Sequence, residues 1–446
     1  MKKIISWLVA IGVIGFVGAY GGSSFIMKSR QSDQKAVLSK VDYDDALISK
    51  GEYLARLSDC AACHSVPGDP EYAGGLAMQT PLGAIYSTNI TPDMETGIGN
   101  YSVEAFINAV KHGVRQDDAP LYPAMPYTSY AIMPDSDMEA MYAYFMMKVP
   151  AVKKENAPST FPWIMSMRWP VAYWQFLFSP QREFAPNPNL SELENQGAYL
   201  VEGPGHCGAC HTPRGLGYQE LALSNDSNLF LSGALIDGWR AKSLRGEAQG
   251  LKLWSEAEVT EFLQTGRTDK VIAFGAMADV VQHSSQYWRD EDLNATAAFL
   301  KQLSPAANKM LELPQKEDTT TDILLSGQYR DPGAILYVEH CYTCHRADGE
   351  GVPRIFPALN LNSAVIANNA QSVIQVTLEG GKMPETPADR MAFTMPAFNH
   401  LSDDEVSLII NYIRNSWNNT SPEVTPEDVA ETRKFLRTKA PNITLN

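Results

Sequence analysis

The sequence predicts an all-α chain of three tandem units behind an N-terminal signal or anchor segment. Three observations carry that prediction. One five-residue cysteine motif occurs three times. Segments with apolar residues at helical spacing stand before and after each copy. No stretch shows sustained period-two alternation. The 446 residues exceed one ordinary core, and 44% hydrophobic with 10% aromatic residues supply several. A formal net charge of −15 argues against nucleic acid, whose phosphates need a basic surface.

The chain opens with Lys2 and Lys3, an apolar run from Ile4 to Tyr20, then Gly21, Gly22, Ser23 and Ser24. A basic start, an apolar stretch and small residues make an export signal. Cleavage after Gly21, with Ala19 two places before it, is one outcome for segment 1–25. An uncleaved anchor is the other, although as a helix the run spans roughly 26 Å against about 30 Å of bilayer core.

All six cysteines fall in one pattern: Cys60-Ala61-Ala62-Cys63-His64, Cys207-Gly208-Ala209-Cys210-His211 and Cys341-Tyr342-Thr343-Cys344-His345. C-x-x-C-H attaches c-type haem. Each thiol adds to a porphyrin vinyl group, and the next residue, His, lies under the iron as a ligand. A disulfide framework leaves the three histidines unexplained. A thioredoxin-type pair has no use for three copies. Structural zinc needs four ligands close together. Three covalently bound haem c groups are therefore expected.

Around each motif the same parts recur. A segment starting near glycine precedes it, at Gly51, Gly197 and Gly333, and close helix packing would explain keeping glycine there. A second helix follows: Ser102–Lys111 ending at Gly113, a helix opened by the Ser255–Glu258 capping box and ended at Gly266, and Ser372–Leu378 ending at Gly380. A last helix closes each unit. Ser136 with Glu139 and Ser402 with Glu405 read as capping boxes, and Asp290 opens the middle one. Between second and last helices each unit offers a methionine on a Pro- or Gly-flanked loop: Met125, Met277 and Met395. Thioether is a sixth ligand of electron-transfer haem and raises its potential. Met383 rivals Met395, and Met78, Met94 and Met133 rival Met125; core filling is the alternative for each. His206 and His340 adjoin attachment cysteines, His112 reads as a helix-end residue with a solvated or dipole-stabilising role, and His283 and His400 read as surface residues.

These residues resemble the triheme cytochrome c subunits of bacterial membrane-bound dehydrogenases acting on alcohol, gluconate, sorbitol or fructose. The resemblance runs from Gly51 to Trp417 and is carried by Ser87-Thr88-Asn89-Ile90-Thr91-Pro92-Asp93, Thr96-Gly97-Ile98-Gly99, Tyr122 to Tyr127, Gly197 to Arg214, Phe274 to Met277 and Phe356 to Leu359. It implies three tandem class I cytochrome c domains, at 45–150, 190–304 and 326–418, with linkers 151–189 and 305–325 and a tail 419–446. It also implies Met125, Met277 and Met395 as sixth ligands, a flavin- or PQQ-dependent dehydrogenase partner, and delivery of electrons to ubiquinone on the periplasmic side of the inner membrane.

The first linker holds Trp163, Trp169, Tyr173, Trp174, Phe176 and Phe178. Its prolines forbid a span, and its aromatics suit a membrane surface or a partner subunit, with packing on the second unit as the alternative. The second linker reads as a solvated tether, and the tail as a short helix near Pro426–Leu436. Two other functions compete: a haem enzyme with a displaceable sixth ligand, and a free carrier feeding a terminal oxidase. No G-x-G-x-x-G fingerprint marks a flavin domain.

Overall fold

The computed structural model describes residues 2–31, 43–80, 83–163, 166–306 and 318–439. They belong to two compact units. One comprises residues 1–186, 202–206 and 215–220, and the other 187–201, 207–214 and 221–446.

In the first unit, α1 (Lys2–Arg30) is followed by α2 (Asp45–Leu57) and α3 (Cys60–His64). Strands β1 (Ala77–Thr80) and β2 (Gly83–Tyr86) pair antiparallel. Then come α4 (Val103–His112), α5 (Tyr127–Tyr130), α6 (Asp135–Met147) and α7 (Trp169–Phe178). Asp44 and Ser102 cap α2 and α4 with their side-chain oxygens, and Gly113 closes α4 at φ 66°. The Ser136–Glu139 box does not form, because α6 starts two residues earlier than a Ser136 cap requires, straight after extended Pro134. Helices α2 and α6 cross so closely that a Cβ on Gly51 would lie 1.8 Å from the Ala140 carbonyl oxygen. Leu54, Leu57, Met138, Met141 and Phe145 fill the core there.

The end of α1 is part of this unit. Met27 packs with Val114 and Ala172. Arg30 is buried, and its guanidinium donates to the carbonyls of His112, Gln175 and Ser179 and to the Ser179 hydroxyl. Trp169 meets Phe16 edge-on at 5.8 Å, and Trp174 donates to the Gly217 carbonyl at 2.6 Å. Both indoles are thus engaged in packing within the unit.

The second unit holds α8 (Glu192–Glu202), α9 (Gly208–His211), the hairpin β3 (Ala234–Ile236) and β4 (Trp239–Ala241), α10 (Glu256–Thr265), α11 (Ala276–His283) and α12 (Asp290–Gln302). It continues with α13 (Thr320–Ser326), α14 (Pro332–His340), α15 (Tyr342–His345), α16 (Gln371–Glu379), the pair β5 (Gly381–Lys382) and β6 (Thr394–Met395), α17 (Asp403–Asn415) and α18 (Pro426–Lys439). The capping boxes of α10 and α17 form as predicted. Gly197 and Gly333 repeat the close crossing of Gly51, with a Cβ falling 2.0 Å from the Ala295 oxygen and 2.6 Å from the Leu408 oxygen. Tyr337, Val406, Ile409, Ile410 and Trp417 centre one core, to which α13 adds Leu324 and α18 adds Val429. The tail helix is therefore structural, as Arg433 bonding to Asp403 also shows.

The expected fold class needs three corrections. The chain is not all-α, since three two-stranded antiparallel sheets accompany the helices. Strands of two to four residues are too short to register as alternation. Nor do three tandem domains result, because the regions of the second and third motifs share one compact unit. The Arg240 amide donates to Ser372 Oγ at 2.8 Å, and the Ala358 amide to the Lys270 carbonyl at 2.9 Å. Such pairings across sequence leave no composition signal. Finally, among the described residues no helix is long and apolar enough to cross a membrane, so the anchor is not supported.

Candidate haem sites

Each cysteine motif is itself a short helix or its edge. The turn sets the two thiols two residues apart with the histidine after them: α3, then α9 entered from Cys207, then α15 entered from Cys341. No disulfide joins any of the six cysteines. Burial pushes Cys60, Cys207 and Cys341 up to about 12, so these sulfurs are neutral.

The three histidines share one arrangement. His64 Nδ1 donates to the Thr88 carbonyl at 2.6 Å, His211 Nδ1 to the Lys242 carbonyl at 2.7 Å, and His345 Nδ1 to the Pro357 carbonyl at 3.0 Å. A carbonyl only accepts, so Nδ1 carries the proton and Nε2 keeps its lone pair. Desolvation lowers all three histidines, His211 to about 4, so each ring is neutral at pH 7. Carbonyls 24, 31 and 12 residues downstream thus fix the tautomer and orientation that metal ligation needs.

The supporting loops explain motifs that chain position alone does not. Around Thr88, the buried Asn89 side chain donates to Thr96 Oγ1 and the Val152 carbonyl and accepts from Thr91 N–H and Oγ1–H. That net locks the carbonyl facing His64. Residues 152–156 close over it, with Asn156 Oδ1 accepting from the Asn89 amide at 2.7 Å. In the second unit, β4 leads directly to Lys242. Lys242 Nζ lies 4.0 Å from the Trp254 ring centroid and 3.4 Å from Ser363 Oγ. Burial and Arg240 bring its ammonium down to about 7.

The methionines sit as follows. Met125 is half-buried in the turn before α5, whose Tyr130 hydroxyl donates to the Ser58 carbonyl at 2.6 Å, two residues ahead of Cys60. Met277 lies in the first turn of α11 and not on a loop; Gly275 at φ 57° starts that helix against Trp239. Met395 is in β6, opposite Gly381, and Phe398 beyond it meets His340 edge-on at 5.7 Å. The rivals Met133 and Met383 are buried, and Met94 is exposed.

Other histidines are placed too. His206 meets Tyr130 edge-on at 5.7 Å. His112 is not a solvated helix-end residue: burial, then Lys111 and Arg30, push it down to about 4, and its Nδ1 has no partner. The residues missed from sequence are Thr88, Lys242 and Pro357. Thr88 and Pro357 lie in the distinctive stretches, whereas nothing in the sequence singles out Lys242.

The donor set fits a c-type haem: two cysteines outside any disulfide, a neutral oriented imidazole and a thioether segment, three times over. Among the described residues no group of three or more His, Cys, Asp or Glu side chains could hold a metal ion, which leaves the zinc reading without ligands.

Comparison with known proteins agrees. The cytochrome c family model matches residues 48–147 and 331–417. The chain is 46% identical over 407 residues to the gluconate 2-dehydrogenase cytochrome c subunit of Pantoea cypripedii, covering 90% of this chain and 92% of that one. It is 46% identical to the alcohol dehydrogenase (quinone) cytochrome c subunit of Gluconobacter oxydans (strain 621H), over 88% and 83% of the two chains. It is 33% identical to the fructose dehydrogenase cytochrome subunit of Gluconobacter japonicus, over 86% and 82%.

Proposed function

We propose, from the premise that this chain belongs to the family of dehydrogenase cytochrome c subunits, that it carries electrons from a partner dehydrogenase to a quinone. The observation that carries this reading is the threefold recurrence of two cysteines, none in a disulfide, followed by a histidine held through Nδ1 by a distant carbonyl.

Cys60 and Cys63, Cys207 and Cys210, and Cys341 and Cys344 would form the thioethers of three haem c groups. His64, His211 and His345 would be one set of axial ligands, and Met125, Met277 and Met395 the other. Haem bound so supplies reversible one-electron storage at iron. The chain's own share is to present a neutral imidazole in one tautomer, to exclude water by burial, and to offer a neutral thioether, which favours the reduced state. Different burial at the three sites would separate their potentials.

The partner is a flavin- or PQQ-dependent dehydrogenase and the acceptor ubiquinone, with the chain exported to the periplasmic side of the inner membrane. A membrane-facing surface is supported by apolar side chains that α1 and α7 leave exposed, among them Ile14, Val17, Phe25, Phe176 and Leu177. Exposed aromatic and aliphatic side chains suit the lipid headgroup boundary.

The test is purification from membranes, mass spectrometry of the chain, and dye and quinone reduction with gluconate, ethanol, sorbitol and fructose. Three added haem masses, a co-purifying dehydrogenase subunit and reduction by one of these substrates are expected. A folded exported chain with bare or disulfide-paired cysteines would overturn the reading.

A further inference from the structure

The methionine segment of the third site is fastened by three side chains, of which Arg267 and Gln282 come from the region of the second. β5 and β6 pair over two residues each, Gly381 with Met395 and Lys382 with Thr394, and the Met383 amide donates to the Phe393 carbonyl at 3.2 Å. Residues 384–392 therefore form a loop standing on a sheet too small to be stable by itself. Three groups tie it down. Arg267, directly after the Gly266 that closes α10, is 3% exposed, and its Nη2 donates to the Pro384 carbonyl at 2.9 Å and the Met391 carbonyl at 2.7 Å. Arg354 makes ion pairs with Glu261 of α10 and with Asp389 of the loop. Gln282 of α11 accepts from the Glu385 amide at 3.0 Å. α11 is the helix whose first turn carries Met277.

A buried guanidinium is costly unless it is well bonded. Among the described residues Arg267 makes no ion pair, Asp389 of the loop is its nearby counter-charge, and its Nε has no acceptor. The fixed points its burial secures are those two loop carbonyls.

We propose that Arg267, seconded by Arg354, is a positioning residue that keeps Met395 available as the sixth ligand of the third haem. Through Gln282 the same loop is tied to the helix bearing Met277, so the ligand segments of the second and third sites form one mechanical piece. The inference rests on the reading that Met395 is that ligand.

The test uses the full haem-loaded protein in four variants. Two readouts are followed: the far-red charge-transfer band of ferric haem with a methionine ligand, and a redox titration resolving three steps. Met395→Ala should remove one of the three contributions to the band. Arg267→Gln should remove most of that same contribution and move one reduction step to lower potential, with three haems still attached. Arg267→Lys, which keeps the cation and has more than one N–H to donate, should restore the band. Arg245→Gln should leave the band whole. Arg245 is buried to 2% exposure and donates to the Ser304 and Phe230 carbonyls, so it controls for a merely structural loss.

An intact band in Met395→Ala would defeat the ligand reading. A band lost there but kept in Arg267→Gln would overturn the positioning role alone. If Arg267→Gln does not fold, Arg354→Gln takes its place. Arg354 is partly exposed, and an unchanged band in that variant would overturn the proposal.

Discussion

Replacing Gly51 by alanine should loosen the first unit, by an amount the geometry ranks against the same change at Gly197 and Gly333. The added Cβ would lie 1.8 Å from the Ala140 oxygen at Gly51, 2.0 Å from the Ala295 oxygen at Gly197 and 2.6 Å from the Leu408 oxygen at Gly333, where ordinary contact starts at 3.4 Å. Each obstacle is helix backbone, which cannot swing aside as a side chain does. The helices must part, and methyl insertion into a packed core costs about 1–3 kcal/mol, sometimes more. Alanine returns about 1 kcal/mol of helix propensity. With the upper part of that range, about 2–3 kcal/mol, for the two shortest approaches and the lower end for the third, the net loss is about 1–2 kcal/mol at Gly51 and Gly197 and close to zero or slightly unfavourable at Gly333. In a unit of about 200 residues that corresponds to a Tm lower by roughly 2–8 °C for the first two. Thermal and denaturant unfolding of haem-loaded protein, followed by far-ultraviolet circular dichroism and by haem absorbance, measures it. Gly333→Ala losing more than Gly51→Ala, or any of the three gaining stability, would refute the close-crossing argument.

Arg30→Met should cost about 2–4 kcal/mol, because it leaves buried acceptors at Gln175 and Ser179 without their donor; limited proteolysis should then cut between residues 13 and 30 faster than in the wild type. His112 should make the first unit acid-sensitive. Its pKa falls from an ordinary 6.5 to about 4 on folding, so the unfolded chain takes up the proton first. Its contribution is complete above pH 6.5, is lost as pH falls toward 4 and is flat below; with solvent access allowed for, the loss is of order 1–2 kcal/mol. His112→Gln should flatten an acid-unfolding curve in that window. Phe176→Ser with Leu177→Ser should weaken binding to anionic vesicles, since both side chains are exposed, whereas Trp174→Phe, altering an indole bonded to Gly217, should change stability instead. Vesicle flotation separates the two.

How much could be read from the chain depends on how far apart the interacting residues lie. Attachment chemistry occupies five consecutive residues, so Cys60 to His64 and its two counterparts announce themselves. Helix signals are equally local: Ser102 with Gly113, Ser255 with Glu258, and Ser402 with Glu405 stand where the structure has caps. The Ser136–Glu139 pattern misled because Pro134 lets the helix begin earlier. Glycines kept at Gly51, Gly197 and Gly333 correctly signalled close helix contact. The short hairpins were invisible because two to four residues cannot show a period.

The sequence alone determined what is covalent and what is nearby: the haem-attachment motifs, the capped helices and the repeated order of parts. Tertiary structure decided which carbonyl receives each histidine proton, 24, 31 and 12 residues downstream. Every residue has a carbonyl, so only the fold selects Thr88, Lys242 and Pro357. It also decided that the second and third motifs share one compact unit. That outcome depends on the fit of β4 to α16 and on Arg267 reaching two distant carbonyls. Such complementarity between surfaces exists only after folding.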